Sequence, residues 1–554
     1  MSESSQGAGA APKASVAAPL DQQAATQPVF AFPAEVLARY DARILDPTTA
    51  ARLPGQPRPQ ATVYIANRLL VSGRADSATF DELSAAADAH GVRVFSDGER
   101  DRRVARCREV VPGYEDMPLV NVAFLEPSND GPASPPDAWT VLQTFRSRPG
   151  LTHEARGHVG LDHLLAATTL AHGSPFGHGS PFGHGSPFGH GSPFGHGSPF
   201  GHGSPFSYGA DEEYAWPGSG GRAPVAWVGA EPHRHDKLPC RRPVVAILDT
   251  GVGKHPWLPP TIVRKNEWVH GERLGIYDPP TDPEDTGVVN DPEEGVLDPD
   301  SGHGTFIAGL VRQKCPDADI LAVRIMDADG IVTEDAMLDS LTLLAWRQQH
   351  AQDTGDDAAL LDVVSLSMGY YDETPEDVAW DPQLLDPIRR LGELGTAVVV
   401  SAGNDATTRP MFPAAFTPYP AGIVKAPIAG CVPVVSVGAK NPNGTVALFS
   451  NAGPWVRCHR LGAAVISTFP ITFNASQQPS FRTDRTADGR RETIDPDDFR
   501  GGFGTWSGTS FSAPILAGEI AQSLIASGTL NDIDPMSTRE RAWAAVTALA
   551  GMQP

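Results

Sequence analysis

Five short runs of apolar, mostly β-branched residues dominate the second half of this 554-residue chain. Helical patterns lie between several of them, for example at 334–349 and 381–395. Nearly continuous apolar strands that alternate with helices are typical of a parallel sheet covered by helices on both faces. We therefore expect an α/β domain over residues 240–554, with its chemistry at the carboxyl ends of the strands. The runs are RPVVAILDT (242–250), DILAVRIM (319–326), LLDVVSLSMG (360–369), GTAVVVSAGN (395–404) and CVPVVSVGA (431–439).

A smaller domain is predicted ahead of this one, over residues 59–168. Its elements run in the order β-α-β-β-α-β, which is typical of a ferredoxin-like α+β unit. The strands are expected at 61–73, 92–97, 117–127 and 157–167, and the helices at 77–91 and 135–150. Residues 1–58 begin with a stretch rich in Ala, Gln, Ser and Gly, and we predict that they are disordered.

The repeat HGSPFG lies between the two predicted domains, at residues 172–207. Each unit has one bulky apolar residue, so it buries too little surface to offset the entropy lost on ordering. A flexible linker over 169–239 is therefore favoured over a β-helix with a six-residue period. Loose binding of a transition metal by the evenly spaced imidazoles is a weaker alternative.

The charge balance excludes some partners, because 66 acidic against 43 basic residues give a net charge of −23. Such a chain repels phosphate and anionic lipid, so neither nucleic acid nor a membrane is expected to bind. We find no apolar run of signal-peptide or transmembrane type, so the cytoplasm is the default compartment, with non-classical export left open.

The five cysteines are scattered and form no CxxC pair, so the sequence indicates neither a zinc site nor a disulfide framework. A bridge between Cys431 and Cys458 is the less favoured alternative. No metal ligands are predicted elsewhere in the chain.

Three short segments place polar side chains where a parallel sheet keeps its chemistry. Asp249 follows an apolar strand in ILDTG, His303 lies between glycines in SGHGT, and Ser510 precedes an apolar helix in GTSFSAP. Each segment alone is weak, because a serine before a helix is usually a cap and an aspartate after a strand is usually a turn residue. Together they have the order Asp, His, Ser, which is one of the orders in which a serine-protease triad occurs.

With these motifs the chain resembles the subtilisin-like serine proteases, the subtilases of peptidase family S8. Three blocks match the signatures of the family in order, and three further segments are similar to family segments. The blocks are DTG (249–251), HGT (303–305) and GTSFSAP (508–514), and the further segments are SLSMG (365–369), SAGN (401–404) and FSNAG (449–453).

The resemblance implies a subtilisin-like fold and a serine endopeptidase that works through an acyl-enzyme. Ser510 would be the nucleophile, His303 the general base and Asp249 the residue that orients the imidazole. Asn404 and the Ser510 backbone N–H would hold the oxyanion. Substrate would add as a further strand beside 365–369. The substrate-binding residues implied are Ser367, Met368, Gly369, Ala402 and Gly403.

The predicted ferredoxin-like unit resembles the inhibitory propeptides of the family. This implies a self-inhibited precursor, with the N-terminal domain as an intramolecular inhibitor and a polypeptide as the substrate. A cut in or near 165–240 is expected, because that segment is accessible. The chemistry requires no cofactor, and structural calcium, which subtilases often carry, is left open without named ligands.

Two acidic stretches bear on specificity. Residues 278–300 hold nine Asp or Glu and five Pro, and a solvated loop is favoured there over an acidic rim that attracts basic substrates or a calcium site. YYDETPED (370–377) adds weakly to an expected preference for basic side chains. Phe306 stands where the family often has a second histidine, and we expect activity to survive this change.

Two other functions compete with the protease. One is a binding module that keeps the scaffold with the N-terminal unit in its cleft, but the complete set of catalytic residue types argues against it. The other is a sedolisin-type peptidase with Glu and Asp beside the serine, which HGT (303–305) and SAGN (401–404) disfavour.

Overall fold

The computed structural model describes residues 32–52, 58–75, 77–110, 119–128, 135–168, 214, 220–374, 382–484 and 489–553. The HGSPFG repeat at 172–207 lies outside the described residues. We divide the structure into an N-terminal unit, residues 32–168, and a C-terminal unit, residues 220–553. No helix of the described part is both long enough and apolar enough to span a bilayer.

Helices and short strands alternate through the N-terminal unit. Its elements are α1 (Ala34–Tyr40), β1 (Ala42–Ile44), β2 (Val63–Ser72), α2 (Ala78–Asp88), β3 (Val92–Phe95), α3 (Glu99–Val110), β4 (Val120–Pro127), α4 (Ala138–Arg146), α5 (His153–Gly157) and β5 (Val159–Ala167). Four strands form a sheet in the order β5-β2-β4-β3, and every neighbouring pair is antiparallel. Apolar residues of α2 and α4 pack on this sheet and close a core of their own.

Helix α3 is absent from the predicted element order. Its sequence ERDRRVARCREV shows no apolar face, which is why apolar periodicity does not predict it. The helix instead sets its arginines against acidic side chains of the C-terminal unit, with Arg100 on Asp335 and Arg103 on Asp339. Partners on another unit therefore stabilise this helix, and the local sequence carries no sign of them.

The prediction that residues 1–58 are disordered is wrong for their last part. Helix α1 and strand β1 lie within it, and β1 pairs antiparallel with β2 from Ala42 to Ile44. Val36 is buried in the core, and Tyr40 donates a hydrogen bond of 2.6 Å to Asp327. Contacts distant in sequence order this segment, so composition alone misassigned it.

The C-terminal unit has five helices and sixteen strands among its described residues. They are β6 (Ala223–Pro224), β7 (Val244–Asp249), β8 (Val263–Lys265), β9 (Trp268–Val269), β10 (Glu272–Arg273), α6 (His303–Lys314), β11 (Asp319–Arg324), β12 (Ile331–Thr333), α7 (Glu334–Thr354), β13 (Val363–Leu366), β14 (Met368–Gly369), α8 (Pro382–Glu393), β15 (Ala397–Ser401), β16 (Val435–Lys440), β17 (Cys458–Leu461), β18 (Val465–Thr468), β19 (Arg482–Thr483), β20 (Arg491–Glu492), β21 (Phe503–Trp506), α9 (Thr509–Ser527) and α10 (Pro535–Ala550).

A seven-stranded sheet forms the centre of this unit, in the order β17-β16-β15-β13-β7-β11-β8. Every neighbouring pair is parallel. Side chains of β7 alternate between two cores, with Val244, Ala246 and Leu248 packed on the side of α7 and α8, and Val245 and Ile247 on the side of α6 and α9. The predicted parallel sheet with helices on both faces is confirmed.

The last strand of the N-terminal unit joins the two units. Strand β5 pairs antiparallel with β12 on one side and continues against β14 on the other. It also pairs with β2, so one sheet extends from the N-terminal unit into the C-terminal unit. This junction of β5 with β12 and β14 lies close to the sequence motifs identified above.

Residues 220–239, which we assigned to the linker, pack on the C-terminal unit. Arg222 donates to the backbone carbonyls of Asp298 and Pro299, at 2.8 and 3.1 Å. His235 contacts the carboxylate of Asp317 through Nδ1 at 2.8 Å. The C-terminal unit thus begins before residue 240, because polar contacts fix a stretch that has little apolar pattern.

Four cysteines of the described residues are free thiols: Cys240, Cys315, Cys431 and Cys458. Cys431 and Cys458 are both free, so the less favoured bridge between them is not formed. Burial raises the pKa of the Cys431 thiol to about 12, and the group is therefore protonated and unreactive at neutral pH.

Candidate active site

The three motif residues meet at one end of the parallel sheet. Asp249 is the last residue of β7, His303 is the first residue of α6, and Ser510 is the second residue of α9. All three side chains are buried. The carboxyl end of a strand and two helix N-termini therefore assemble the group that the sequence predicted, although its first and last members lie more than 250 residues apart in the chain.

Asp249 and His303 form a direct pair. The Nδ1–H of His303 donates to Oδ1 of Asp249 over 2.7 Å. Oδ1 of Asp249 also accepts from the Thr250 backbone N–H at 2.8 Å. These contacts set the ring tautomer, because Nδ1 carries the proton and Nε2 remains able to accept one.

The surroundings of His303 favour its charged form. Burial alone would lower the pKa of His303, but the charge and hydrogen bond of Asp249 outweigh burial and raise the pKa above its ordinary value. Asp300 and Glu284 contribute in the same direction. An imidazole with this partner can take up a proton and hold the resulting charge.

The Ser510 hydroxyl lies against the end of the N-terminal unit. Its Oγ is 2.7 Å from Oγ1 of Thr168 and donates to the Ser367 carbonyl at 3.2 Å. Nε2 of His303 has no hydrogen-bond partner among the described residues. The Ser510 hydroxyl therefore makes no hydrogen bond to the imidazole in this structure.

Two donors are available for a carbonyl oxygen beside Ser510. The Ser510 backbone N–H donates to the carbonyl of Thr168 at 3.1 Å. Oδ1 of Asn404 accepts from the Thr509 N–H and hydroxyl, each at 2.9 Å, and its buried Nδ2 has no partner among the described residues. The orientation of this amide is thus set by Thr509, and its NH₂ group is left to donate.

The residues predicted to bind substrate divide into two groups. Ser367, Met368 and Gly369 meet the end of the N-terminal unit, since Met368 pairs with Ala167 and the Thr168 N–H donates to the Ser367 carbonyl at 3.0 Å. The backbone N–H groups of Ala402 and Gly403 are directed instead to the Val437 carbonyl and the Thr509 hydroxyl. A substrate contact for this second pair stays a prediction.

The sequence motifs do not identify the strand on the other side of this segment, which forms the second wall of the cleft. The Ala167 N–H donates to the Gly330 carbonyl at 2.8 Å, and β12 pairs with residues 164–166 of β5. Residues 164–168 are thus held between two strands as an extended segment. The short β-branched run IVT (331–333) is the only local signal for this wall.

Glu284 is a second residue that the motifs did not identify. It comes from the acidic stretch 278–300, yet it is buried behind the triad. Thr250 donates to one carboxylate oxygen over 2.5 Å, and Thr305 donates to the other. Burial raises the pKa of Glu284 to about 7, against the effect of these two hydrogen bonds.

The aromatic residue at the family's second-histidine position belongs to the core. Phe306 is fully buried, with its ring 4.4 Å from that of Phe511 and 5.5 Å from that of Phe469. It lies on the same helix as His303 and supplies no polar group to the site.

One group of described residues has the composition of a metal site. A ligand atom from each of His163, Asp372 and Glu373 lies within 4.8 Å of the others. Both ring nitrogens of His163, however, already contact carboxylates, Nδ1 that of Glu334 at 2.7 Å and Nε2 that of Glu373 at 3.0 Å. With both nitrogens facing acceptors, the ring behaves as a cation and offers no lone pair to a metal.

Comparisons with known proteins agree with this geometry. A family model described as the subtilase family matches residues 241–545. A thermophilic serine proteinase of Bacillus sp. (strain AK1) is 26% identical over 291 residues, which cover 52% of this chain and 53% of that protein. Thermitase of Thermoactinomyces vulgaris is 26% identical over 243 residues, 42% of this chain and 67% of that protein. The chain thus spans about half the length of the first of these curated relatives.

A crystal structure of a cold adapted subtilisin-like serine proteinase overlaps 57% of this chain and 87% of that one, with 19% identity and a TM-score of 0.31. The TM-score of this overlap is too low for the structural likeness to add to the family match.

Proposed function

Because this chain belongs to the subtilase family, we propose that it is a serine endopeptidase made as a self-inhibited precursor. The observation that carries the proposal is the meeting of the Asp249–His303 pair and Ser510 with an extended peptide segment. The carbonyl of Thr168, at the end of that segment, accepts the Ser510 backbone N–H at 3.1 Å. A substrate carbonyl in the same place would lie within reach of the nucleophile and of a donor for its oxygen.

The chemistry follows from the positions of the side chains. Ser510 Oγ would attack the carbonyl carbon while Nε2 of His303 takes its proton, and Asp249 would stabilise the imidazolium. The oxyanion would accept from the Ser510 N–H and from Nδ2 of Asn404. His303 would then protonate the leaving amine, and water would hydrolyse the acyl-enzyme by the same route. Each step uses groups of this chain and water, so the proposed reaction needs no cofactor.

The N-terminal unit supports the precursor part of the proposal. Its antiparallel β5-β2-β4-β3 order is that of a ferredoxin-like domain, the shape we expect of an inhibitory propeptide. Strand β5 fills the cleft between β12 and β14 as a substrate would. While this strand stays in place, another polypeptide has no access to Ser510.

Charged contacts at the interface also support inhibition by docking. Arginines of α3 contact acidic residues of the C-terminal unit, Arg100 on Asp335 and Arg106 on Glu272. Arg146 reaches Glu373 at 3.4 Å, where both side chains are buried. Contacts of this kind favour one docked orientation over others.

The position of the Thr168 carbonyl indicates the bond that would be cut. The peptide bond between Thr168 and Thr169 follows the carbonyl beside Ser510. It lies within the region 165–240 in which the sequence predicts self-processing. The HGSPFG repeat would then stay on the carboxyl-side product, ahead of the C-terminal unit.

Mass spectrometry of the purified chain tests the proposal. Wild type and Ser510→Ala are incubated with and without a fluorophosphonate probe. We expect the probe mass on wild type only, together with a fragment that ends at Thr168, while Ser510→Ala stays intact and unlabelled. A labelled but uncut chain would refute self-processing and keep the protease, whereas a complete lack of labelling after removal of residues 1–168 would refute the protease.

A further inference from the structure

We propose that the cleft recognises a cationic side chain at the sixth residue on the amino-terminal side of the scissile bond. The acidic pocket that takes it consists of Glu334, Glu373 and Tyr370. The inference rests on the proposed function, because it treats the segment that ends at Thr168 as a bound substrate. In this chain His163 occupies the position, as the sixth residue counted back from Thr168.

His163 is enclosed by the acidic pocket. Its Nδ1 lies 2.7 Å from Oε2 of Glu334, and its Nε2 lies 3.0 Å from Oε2 of Glu373. The ring stacks on Tyr370 with the centroids 4.3 Å apart and the planes 21° from parallel. Only 2% of the residue is exposed. Two carboxylates and an aromatic face together form a site for a cation.

The acidic pocket belongs entirely to the C-terminal unit and is tied to the walls of the cleft. Glu334 directly follows β12, whose last residue Thr333 pairs with Leu164. Glu373 lies four residues after Gly369, the end of β14. Both carboxylates are therefore held by the two strands that bind the extended segment. Any substrate that adopts the same register would present its sixth side chain to the same three residues.

The charges around His163 are mostly negative. Burial alone would lower the pKa of His163, but its hydrogen bonds to Glu334 and Glu373 raise it well above the ordinary value. Asp162 lies beside it, paired with Arg68 at 3.2 Å, and Asp372 is the third member of the cluster around Glu373. The cations near Glu373 are Arg146 and Arg409.

Departure of the N-terminal unit would leave the acidic pocket short of positive charge. His163 and Arg146 would both leave with that unit, whereas Glu334 and Glu373 would remain. Arg409 also remains, with its hydrogen bond to the Asp372 carbonyl but without the one to Ala61, and this leaves one cation for the three carboxylates of Glu334, Glu373 and Asp372. The emptied pocket would thus attract a lysine, arginine or protonated histidine and repel an acidic side chain.

A peptide series tests this with the wild-type enzyme after self-processing. The parent peptide is GLDHLLAATTLA, residues 160–171, and its variants carry His163→Lys, His163→Ala or His163→Glu. Values of kcat/KM are measured at about pH 5.5 and 7.5, one unit on either side of the ordinary histidine pKa of about 6.5. The Lys peptide should exceed the Ala peptide about tenfold at both pH values, as expected for charge-assisted hydrogen bonds.

Comparing kcat/KM at the two pH values separates the effect of side-chain charge from the effect of side-chain shape. The His peptide should behave like the Lys peptide at the lower pH and fall toward the Ala peptide at the higher pH, because free histidine loses its charge between them. The Glu peptide should be the poorest substrate. Equal kcat/KM for the Lys, Ala and Glu peptides would overturn the inference while cleavage itself still supported the protease.

Variants of the enzyme test whether Glu334 and Glu373 cause the preference for a cationic side chain. Glu334→Gln and Glu373→Gln should each reduce the Lys-to-Ala ratio toward one. The control is Glu293→Gln, which removes the same charge from an exposed loop and should keep the ratio. A ratio abolished by a chelator would assign the preference to a bound metal and overturn the inference. If no peptide is cut and the full chain stays unprocessed, the proposed function fails, and this inference fails with it.

Discussion

Replacing Glu284 by glutamine should stabilise the folded protein above neutral pH and leave its stability in acid unchanged. Glu284 is buried behind the triad and receives hydrogen bonds from Thr250 and Thr305. Glutamine has nearly the same shape and is neutral at every pH, as is the protonated carboxyl group. The substitution thus removes one ionisation, and the Thr250 hydroxyl, which also lies 3.2 Å from Oδ1 of Asp249, can donate there and accept from the new NH₂ group.

The expected magnitude follows from the pKa of Glu284, which burial raises from 4.5 to about 7. As the pH rises through this window, the unfolded chain loses the proton while the folded chain keeps it. The folded state then binds more protons, so its stability falls with rising pH. Since one pKa unit corresponds to 1.36 kcal/mol, wild type should lose about 3 kcal/mol of unfolding free energy between pH 4.5 and pH 7.

Urea unfolding in a Ser510→Ala background measures the difference without self-cleavage. The midpoint is followed by the fluorescence of buried tryptophans such as Trp506, from pH 4.5 to pH 8, one unit above the folded-state value. We expect the Glu284→Gln midpoint to match the parent in acid and to exceed it increasingly toward pH 8. The matched control is Glu293→Gln, because that side chain is exposed in the same acidic stretch.

Two results would refute this reasoning. One is a Glu284→Gln curve that runs parallel to the parent curve over the whole pH range. The other is a variant that is less stable than the parent above pH 7, which would mean that the carboxylate, and not the carboxyl group, is the form that the fold prefers. An equal gain in Glu293→Gln would show that the net charge of the chain, and not burial, causes the effect.

Three further substitutions test the site. Asn404→Ala removes the amide whose Nδ2 is left to donate, and should lower kcat by about 10²–10³ with KM little changed in peptide kinetics. Asp249→Asn leaves the geometry but not the tautomer of His303, and should lower kcat by about 10⁴ in the same assay. Gly304→Ala places a Cβ in the space of the Gly251 carbonyl oxygen and so displaces the helix that carries His303. It should lower kcat/KM at least about a hundredfold, and an active variant would contradict the close packing of Gly304 on Gly251.

Much of the parallel sheet and of the triad could be predicted because their signals are local. The β-branched runs predict strands by themselves, and the alternation of β7 between two cores follows from its position in the sheet. Asp249, His303 and Ser510 each lie in a short motif, at a strand end or a helix start, so their meeting follows from the order of the elements.

Contacts between segments that are distant in sequence determine which residues occupy the cleft. Nothing local marks Thr168 as the residue whose carbonyl meets the Ser510 N–H, and nothing local pairs His163 with Glu334 and Glu373. Helix α3 has no apolar face and is matched by acidic residues more than 160 positions away.

Glu284 shows the same limit within a single acidic stretch. Its neighbours Asp278 and Asp285 are exposed, whereas Glu284 is buried against two threonines of the motifs. Composition gives only the net charge of the stretch, whereas the fold determines which of its carboxyl groups is buried. Local periodicity therefore determined the scaffold, and short motifs identified Asp249, His303 and Ser510. The tertiary structure decided burial, partners and the register of the segment in the cleft, because these depend on residues that the chain brings together only when folded.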